Sequence, residues 1–442
     1  MNNRREERNM TALLSLAVAV IAGLMMTRVV KRFSLPAVTA YLIAGVLIGP
    51  YCLGQLGVPG IGFSSMEQLD GLKMFSEVAL GFIAFAIGNE FRLSSLRETG
   101  RQATVVGVVQ GLTAALFVDI ALIALHFILG NDKLSVPQAI TLGAIATATA
   151  PAATLMVVRQ YKAKGKLTDI LLPVVALDDA VGLVVFAVSF GVARALEYGA
   201  FDLVSILLEP MLEIVLSLGL GALMGYILTQ LEKLFNSNSN RLSLTIGMVL
   251  FTVALSKIEF SIGSVHIGFS SLLVCMMLGT IFCNLCPLSG DLMEKADGWT
   301  APLYVLFFVI SGAELELDVF ADLAIVGIGL VFILFRSLGK YLGAYASCKA
   351  TGCDENVTKY LGITLLPQAG VALGMCLTAM ELGPTQGALI RNIVLFAVLI
   401  YELIGPSLTR DALMKAGDIQ PKSAEVVNRR QIKLEKARAE KK

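Results

Sequence analysis

This 442-residue chain has little charge and little ring nitrogen: 16% of its residues are Asp, Glu, Lys or Arg, and it holds two histidines and one tryptophan. A chain that is 56% apolar, with apolar blocks of about 20 residues recurring along its length, cannot cover itself with the charged surface of a soluble domain. Its net charge of +1 provides no field for nucleic acid or another polyanion. The seven cysteines are scattered, mostly inside apolar blocks. Cys283 and Cys286 have the spacing of half a metal site, but no second Cys or His pair follows, and His126 and His266 are the only histidines. The first ten residues are too polar, and the block after them too long, for a secretory signal peptide, so that block is a true first span. What remains is an all-α polytopic membrane protein with no cofactor signature.

Thirteen spans are expected, at about 11–30, 35–50, 70–91, 103–129, 136–158, 168–193, 202–230, 242–257, 263–285, 299–313, 321–348, 357–380 and 386–409. The second and tenth are short for a full crossing. An N-terminus outside and a C-terminus in the cytoplasm put most loop cations inside, among them Arg28, Lys31, Arg32, Arg92, Arg97, Arg101, Arg159, Lys162, Lys164 and Lys166. Arg4, Arg5, Arg8, Lys133, Arg194 and Lys257 are left outside. The basic tail after residue 410 then lies in the cytoplasm, as a solvated segment or a short charged helix along the headgroups.

The chemistry concentrates at Asp178 and Asp179, the only ionisable residues between Leu171 and Val192. A carboxylate at that depth costs a few kcal/mol or more, so it requires a function and a partner. Adjacent helical residues point about 100° apart, which divides the labour between the two acids. It also argues against intramembrane aspartyl proteolysis, where acids from different helices share one water.

Two further patterns surround the pair. Gly88, Glu90 and Leu93, ending the third span, recur at equal spacing as Gly312, Glu314 and Leu317, ending the tenth on the opposite side of the membrane. An inverted six-span repeat separated by one extra helix is the architecture of many secondary transporters. In each half the next-but-one span is interrupted: Thr147, Thr149 and Pro151 in the fifth, Pro367 and Gln368 in the twelfth. Proline removes a backbone donor, so breaks are expected near Ala150 and Leu366, with half-helix ends and the Thr and Gln side chains available to an ion.

Arg336 and Lys340, one turn apart in the eleventh span, are the deep bases. At ~1.5 Å per residue Asp178 lies roughly 15 Å from the cytoplasmic end, Lys340 about 12 Å and Arg336 about 18 Å, so either base reaches the acids. Lysine suits an exchanger better, because burial readily changes its protonation while arginine stays charged. Asp119 is a further deep acid without an assigned role. Glu209, Glu213 and Glu402 read as helix-interface contacts, His126 and His266 as interfacial histidines, and Trp299 as a headgroup anchor.

In combination these features resemble the monovalent cation:proton antiporter superfamily, its second branch, which includes bacterial sodium/proton and potassium/proton exchangers. The matching stretches are Leu35-Pro-Ala-Val-Thr-Ala-Tyr-Leu-Ile-Ala-Gly45 running on to Gly49-Pro50, the Thr-Ala-Pro break followed by Asp178-Asp179, Phe307 to Gly312, Arg336 to Gly343, and Leu365-Leu-Pro367-Gln368-Ala-Gly370. The resemblance implies a thirteen-span fold with an inverted repeat and two crossed discontinuous helices, in a multi-pass protein of the cell (inner) membrane. It divides residues 1–410 into a core (about 70–193 and 299–409) and dimerisation helices (about 11–50 and 202–285), with 411–442 as a short basic tail.

Carried over, Asp179 binds the transported cation, Na+ or else K+ or Li+, and the proton. Asp178 pairs with Lys340, and Thr147 and Thr149 lie at the crossing. The double aspartate implies electrogenic sodium/proton exchange by a homodimer in lipid. A nucleotide-binding domain, carried by many potassium-type relatives, is not expected in the short tail, which lacks a Gly-x-Gly-x-x-Gly unit. Potassium/proton antiport is the alternative within the family; sodium-coupled symport, a channel and a membrane sensor are the alternatives outside it.

Overall fold

In lipid every backbone polar group has to be satisfied within the chain, and helices do this locally. The computed structural model describes residues 2–33, 35–56, 62–89, 93–131, 133–198, 209–258, 260–262, 265–315, 317 and 322–419. Glu90 of the repeated motif, Arg92 and the tail beyond residue 419 lie outside them. The first half runs α1 (Asn2–Val30), α2 (Ala37–Ile48), a short α3 (Met66–Asp70), α4 (Lys73–Asn89), α5 (Leu93–Leu129), α6 (Val136–Ile145), α7 (Pro151–Tyr161) and α8 (Lys166–Tyr198). After α9 (Glu209–Glu232) come α10 (Asn238–Leu255), strands β1 (Phe260–Ile262) and β2 (Val265–Ile267), α11 (Ser271–Leu285), α12 (Ser289–Ala313), α13 (Leu323–Ala350), α14 (Glu355–Thr364), α15 (Gly370–Ala379) and α16 (Pro384–Ala416).

Each expected span overlaps a helix or a broken helix pair among the described residues, the seventh only from Glu209 on, since 202–208 lie outside them, and there are further local differences. The ninth begins later than expected, because strands β1 and β2 pair antiparallel ahead of it, Ser261 opposite His266. Alternating polar and apolar residues within the two strands favour that pairing, and Ser270 then caps α11 by accepting from the Leu273 amide at 3.4 Å. The last helix continues past 410 to Ala416. Among the described residues seven helices are long and apolar enough to cross a bilayer, or eight if the two parts of α12, bent by 49°, form one span. On α13 the outward side carries Leu330 (53% exposed) and Leu334 (62%), while Arg336 and Lys340 are fully buried. That helix is apolar outside and charged inside, the reverse of a helix in water.

The two halves pack as equivalents. α2 lies on α12 as α11 lies on α4, and α5 and α13 cross at the centre with α6 and α8 on one side and α14 and α16 on the other. The outer pairs meet backbone to backbone. A methyl group at Gly45 would overlap the Val309 carbonyl oxygen and one at Gly312 that of Leu42; in the other half Gly88 sits under the Met276 carbonyl and Gly279 under that of Phe85. Small residues at helix crossings in lipid permit this approach. It also shifts the expected division of the chain: residues 70–91 and 299–313, placed with the core from sequence, pack as α4 and α12 onto α11 and α2. One group is therefore α1, α2, α4 and α9–α12, and the other is α5–α8 and α13–α16.

Candidate functional site

The centre of the second group is built where two helices stop in mid-course. α6 ends at Ile145 and α7 restarts at Pro151, whose missing N–H costs nothing at the first helical position. α14 ends at Thr364 and α15 restarts at Gly370. The extended segments cross, and the Ala150 amide donates to the Pro367 carbonyl at 2.8 Å. Pro151 thus opens a helix, whereas Pro367 lies inside its break.

Each helix end leaves carbonyls without helical partners, here inside the protein. Arg336 takes three: Nε donates to Ala146 O (3.0 Å), Nη2 to Ala148 O (2.6 Å) and Nη1 to Leu366 O (2.8 Å). Its guanidinium carbon lies 4.5 Å from the centroid of the Tyr401 ring. Gln368 Nε2 donates to Ile145 O at 2.9 Å, tying the second break to the end of α6. Arg336 thus differs from its expected part: it makes no hydrogen bond to either aspartate and holds the two breaks together. Its planar fork suits three carbonyls at fixed spacing.

Lys340, one turn further along α13, is the base that meets the acids. Its Nζ donates to Asp178 Oδ2 (3.0 Å), Thr149 Oγ1 (2.9 Å) and Thr147 O (2.6 Å), which uses all three of its donors. Asp178 also accepts from Thr149 Oγ1 at 2.5 Å and from Gln110 Nε2. Lys340 and Asp178, 0% and 1% exposed, are a buried ion pair fully hydrogen-bonded on the acid side.

Asp179 is different. It is 2% exposed, and neither carboxylate oxygen has a hydrogen-bond partner among the described residues. Gly182, on the next turn of α8, faces the Thr147 hydroxyl, which would stand 3.1 Å from an added Cβ. Thr147 Oγ1 donates to Ala144 O at 2.7 Å and keeps its lone pairs. The oxygen of Gln368, Oε1, is also buried without a partner among the described residues.

The expected residues Thr147, Thr149, Asp178, Asp179, Lys340, Pro367 and Gln368 therefore come together around one crossing. Gln110 was not anticipated, although an amide in the apolar run Val108-Val109-Gln110-Gly111-Leu112 was a usable signal. Asp119, on α5, packs its Oδ1 against Gly143 of α6, unpartnered among the described residues. Glu402 is buried and the Glu209 side chain lies outside the description, while His126 Nδ1 contacts Leu134 O at 2.6 Å. Trp299 packs on Phe82, with ring centroids 5.5 Å apart.

The transmembrane sodium/hydrogen exchanger family matches residues 16–415. The chain belongs to that family. It is accordingly a transporter of the monovalent cation:proton antiporter superfamily and not an enzyme. Among curated relatives of this exchanger, the Na(+)/H(+) antiporter NhaS4 of Synechocystis sp. is 24% identical over 411 residues, covering 90% of this chain and 97% of the relative. The K(+)/H(+) antiporter subunit KhtU of Bacillus subtilis is 20% identical over 409 residues, covering 91% and 92%. The solved structure of the sodium proton antiporter MjNhaP1 from Methanocaldococcus jannaschii at pH 8 matches with a TM-score of 0.68 at 18% identity, over 93% of this exchanger and 99% of that chain. That likeness shows the antiporter fold.

Proposed function

We propose that this exchanger is an electrogenic sodium/proton antiporter in which Na+ and a proton compete for the Asp179 carboxylate. One observation carries the reading: Asp179 is buried with both oxygens unpartnered among the described residues, while its neighbour Asp178 accepts from three donors. A bare carboxylate at that depth is too costly to persist, so it holds either a proton or a cation, and each excludes the other. The site then crosses in either loaded form and does not leak.

Charge balance assigns a task to Lys340. Exchange of one proton for one Na+ at Asp179 moves no net charge. If the arriving cation also draws Asp178 away from Lys340, Nζ releases a second proton, and two charges move against one. Thr147 and the carbonyls of the breaks supply neutral oxygens beside the acid. The helix group α5–α8 with α13–α16 carries the site past the group α1, α2, α4 and α9–α12, in a homodimer of the cell membrane with the N-terminus outside.

The test is transport in liposomes with an internal pH dye. Sodium-driven proton movement is expected in the natural protein and lost in Asp179→Asn; its persistence there sinks the single-site reading. Potassium is the second reading, favoured by the similarity to a protein named as a potassium/proton antiporter subunit. Sodium, lithium and potassium gradients applied in parallel separate the two.

A further inference from the structure

The last turns of α1, α7 and α16 and the start of α2 line a half-open cavity of about 1110 Å³ on the seam between the two helix groups. Arg28 and Lys31 line it from one group, and Gln160, Tyr161, Lys162 and Arg410 from the other. The wall itself is bonded across the seam, the Ala37 amide donating to Gln160 Oε1 at 2.8 Å. Among the described residues that line it only Asp411 is acidic, and Asp411 is engaged by Arg410, Nε to Oδ1 at 2.8 Å. The side chains of Arg28, Lys31 and Lys162 have no hydrogen-bond or ion-pair partner among the described residues.

Three uncompensated cations converging on one cavity repel a sodium ion and each other, and an anion placed between them relieves both. The neighbouring surface adds a second specification. Met25 (62% exposed), Val29 (52%) and Phe33 (71%) flank Arg28 and Lys31 on the outer side of α1 and its extension. The cavity thus sets three exposed cations beside an apolar belt, which suits a charged head carrying acyl chains.

We propose that this cavity is a binding site for a phosphate ester, held by Arg28, Lys31 and Lys162 and supplied by an anionic phospholipid headgroup or by a soluble phosphate. The site shares no residue with the Asp179 crossing and does not depend on the transport reading. Because its cations come from both helix groups, one bound phosphate bridges the seam.

Retention of lipid on the purified full-length protein, counted by native mass spectrometry, tests this together with the melting temperature. Phosphatidylglycerol is expected to be retained and to raise the melting temperature, with phosphatidylcholine inert. The triple variant Arg28→Gln, Lys31→Gln, Lys162→Gln, all at exposed positions, is expected to lose retention at least tenfold. A second triple variant, Lys233→Gln, Lys349→Gln, Lys359→Gln, removes equal charge outside the cavity and is expected to retain the lipid. Glycerol phosphate that protects as well as the lipid identifies a soluble ligand; protection by the lipid alone identifies the headgroup. Unchanged retention in the first triple variant, equal loss in the second, or equal binding of phosphatidylcholine overturns the proposal.

Discussion

The backbone amide of Ala150 donates to the carbonyl of Pro367, 217 positions away in the chain, so each broken helix closes the break in the other. Arg336 completes the closure through its three carbonyl contacts. A shorter side chain with a single amide nitrogen cannot serve all three, so at least one of the Ala146, Ala148 and Leu366 oxygens is left buried without a donor, and a hydrogen bond to a charged group is worth about 1.5–3 kcal/mol. Arg336→Gln is expected to destabilise the protein by about 3–5 kcal/mol, the usual result of breaking a buried charged network. A melting temperature of the detergent-solubilised variant equal to that of the natural protein would refute the capping role.

The glycine pairs predict a second, sterically defined loss. At Gly312 even a methyl group overlaps the Leu42 carbonyl oxygen, and no rotamer removes a Cβ. Gly312→Val is expected to force α2 and α12 apart and to cost more than about 3 kcal/mol, the upper part of the overpacking range. Gly298→Val, where a Cβ meets nothing within 4 Å, is the matched control on the same helix. Equal yield and melting temperature in the two variants would contradict the close crossing.

These same glycines show how the fold was legible and where legibility ended. The repeat around Gly88 and Gly312 was visible because close crossings in lipid demand a particular residue type at a fixed place. Which helices the glycines touch was not visible, since the partners at Gly279 and Gly45 are remote in sequence; α4 and α12 were therefore grouped with the core. Asp178, Asp179 and Lys340 were readable because charge in an apolar span is conspicuous. The tasks of the two bases were not, since depth along a helix does not say which oxygen a side chain meets: Arg336 found backbone carbonyls and Lys340 found Asp178. Gln110 was missed because a neutral amide in a span attracts less notice than a charge.

At the membrane boundary, Lys166 Nζ lies 2.9 Å from Asp354 Oδ2, and Asp354 also accepts from the Asn356 amide at the start of α14. The lysine hydrogen bond first, and then the backbone amide, hold the Asp354 carboxyl below its ordinary range. A carboxyl depressed in the folded state contributes stability above its unfolded value, and that contribution fades as pH falls through the folded value. Asp354→Asn is thus expected to lower the melting temperature slightly at neutral pH and to converge with the natural protein in acid. Because both side chains are exposed, the effect is expected to be far smaller than that of Arg336→Gln. A difference that grows toward acid pH would reverse the assignment.

Lys340 and Asp178 carry the prediction on which electrogenicity turns. A lysine that cycles its proton contributes a charge to each turnover; one that only anchors Asp178 contributes none. Lys340→Gln keeps a side chain able to donate to Thr147 O or Asp178 but has no proton to release. Exchange in this variant is expected to continue at a reduced rate and to become insensitive to an imposed membrane potential, one proton now crossing for each Na+. Asp178→Asn leaves Lys340 facing a neutral amide and is expected to impair exchange in the same voltage-insensitive way. Valinomycin-clamped liposomes read the voltage dependence directly. If Lys340→Gln remains as voltage-sensitive as the natural protein, the second proton comes from another group and Lys340 is an anchor alone.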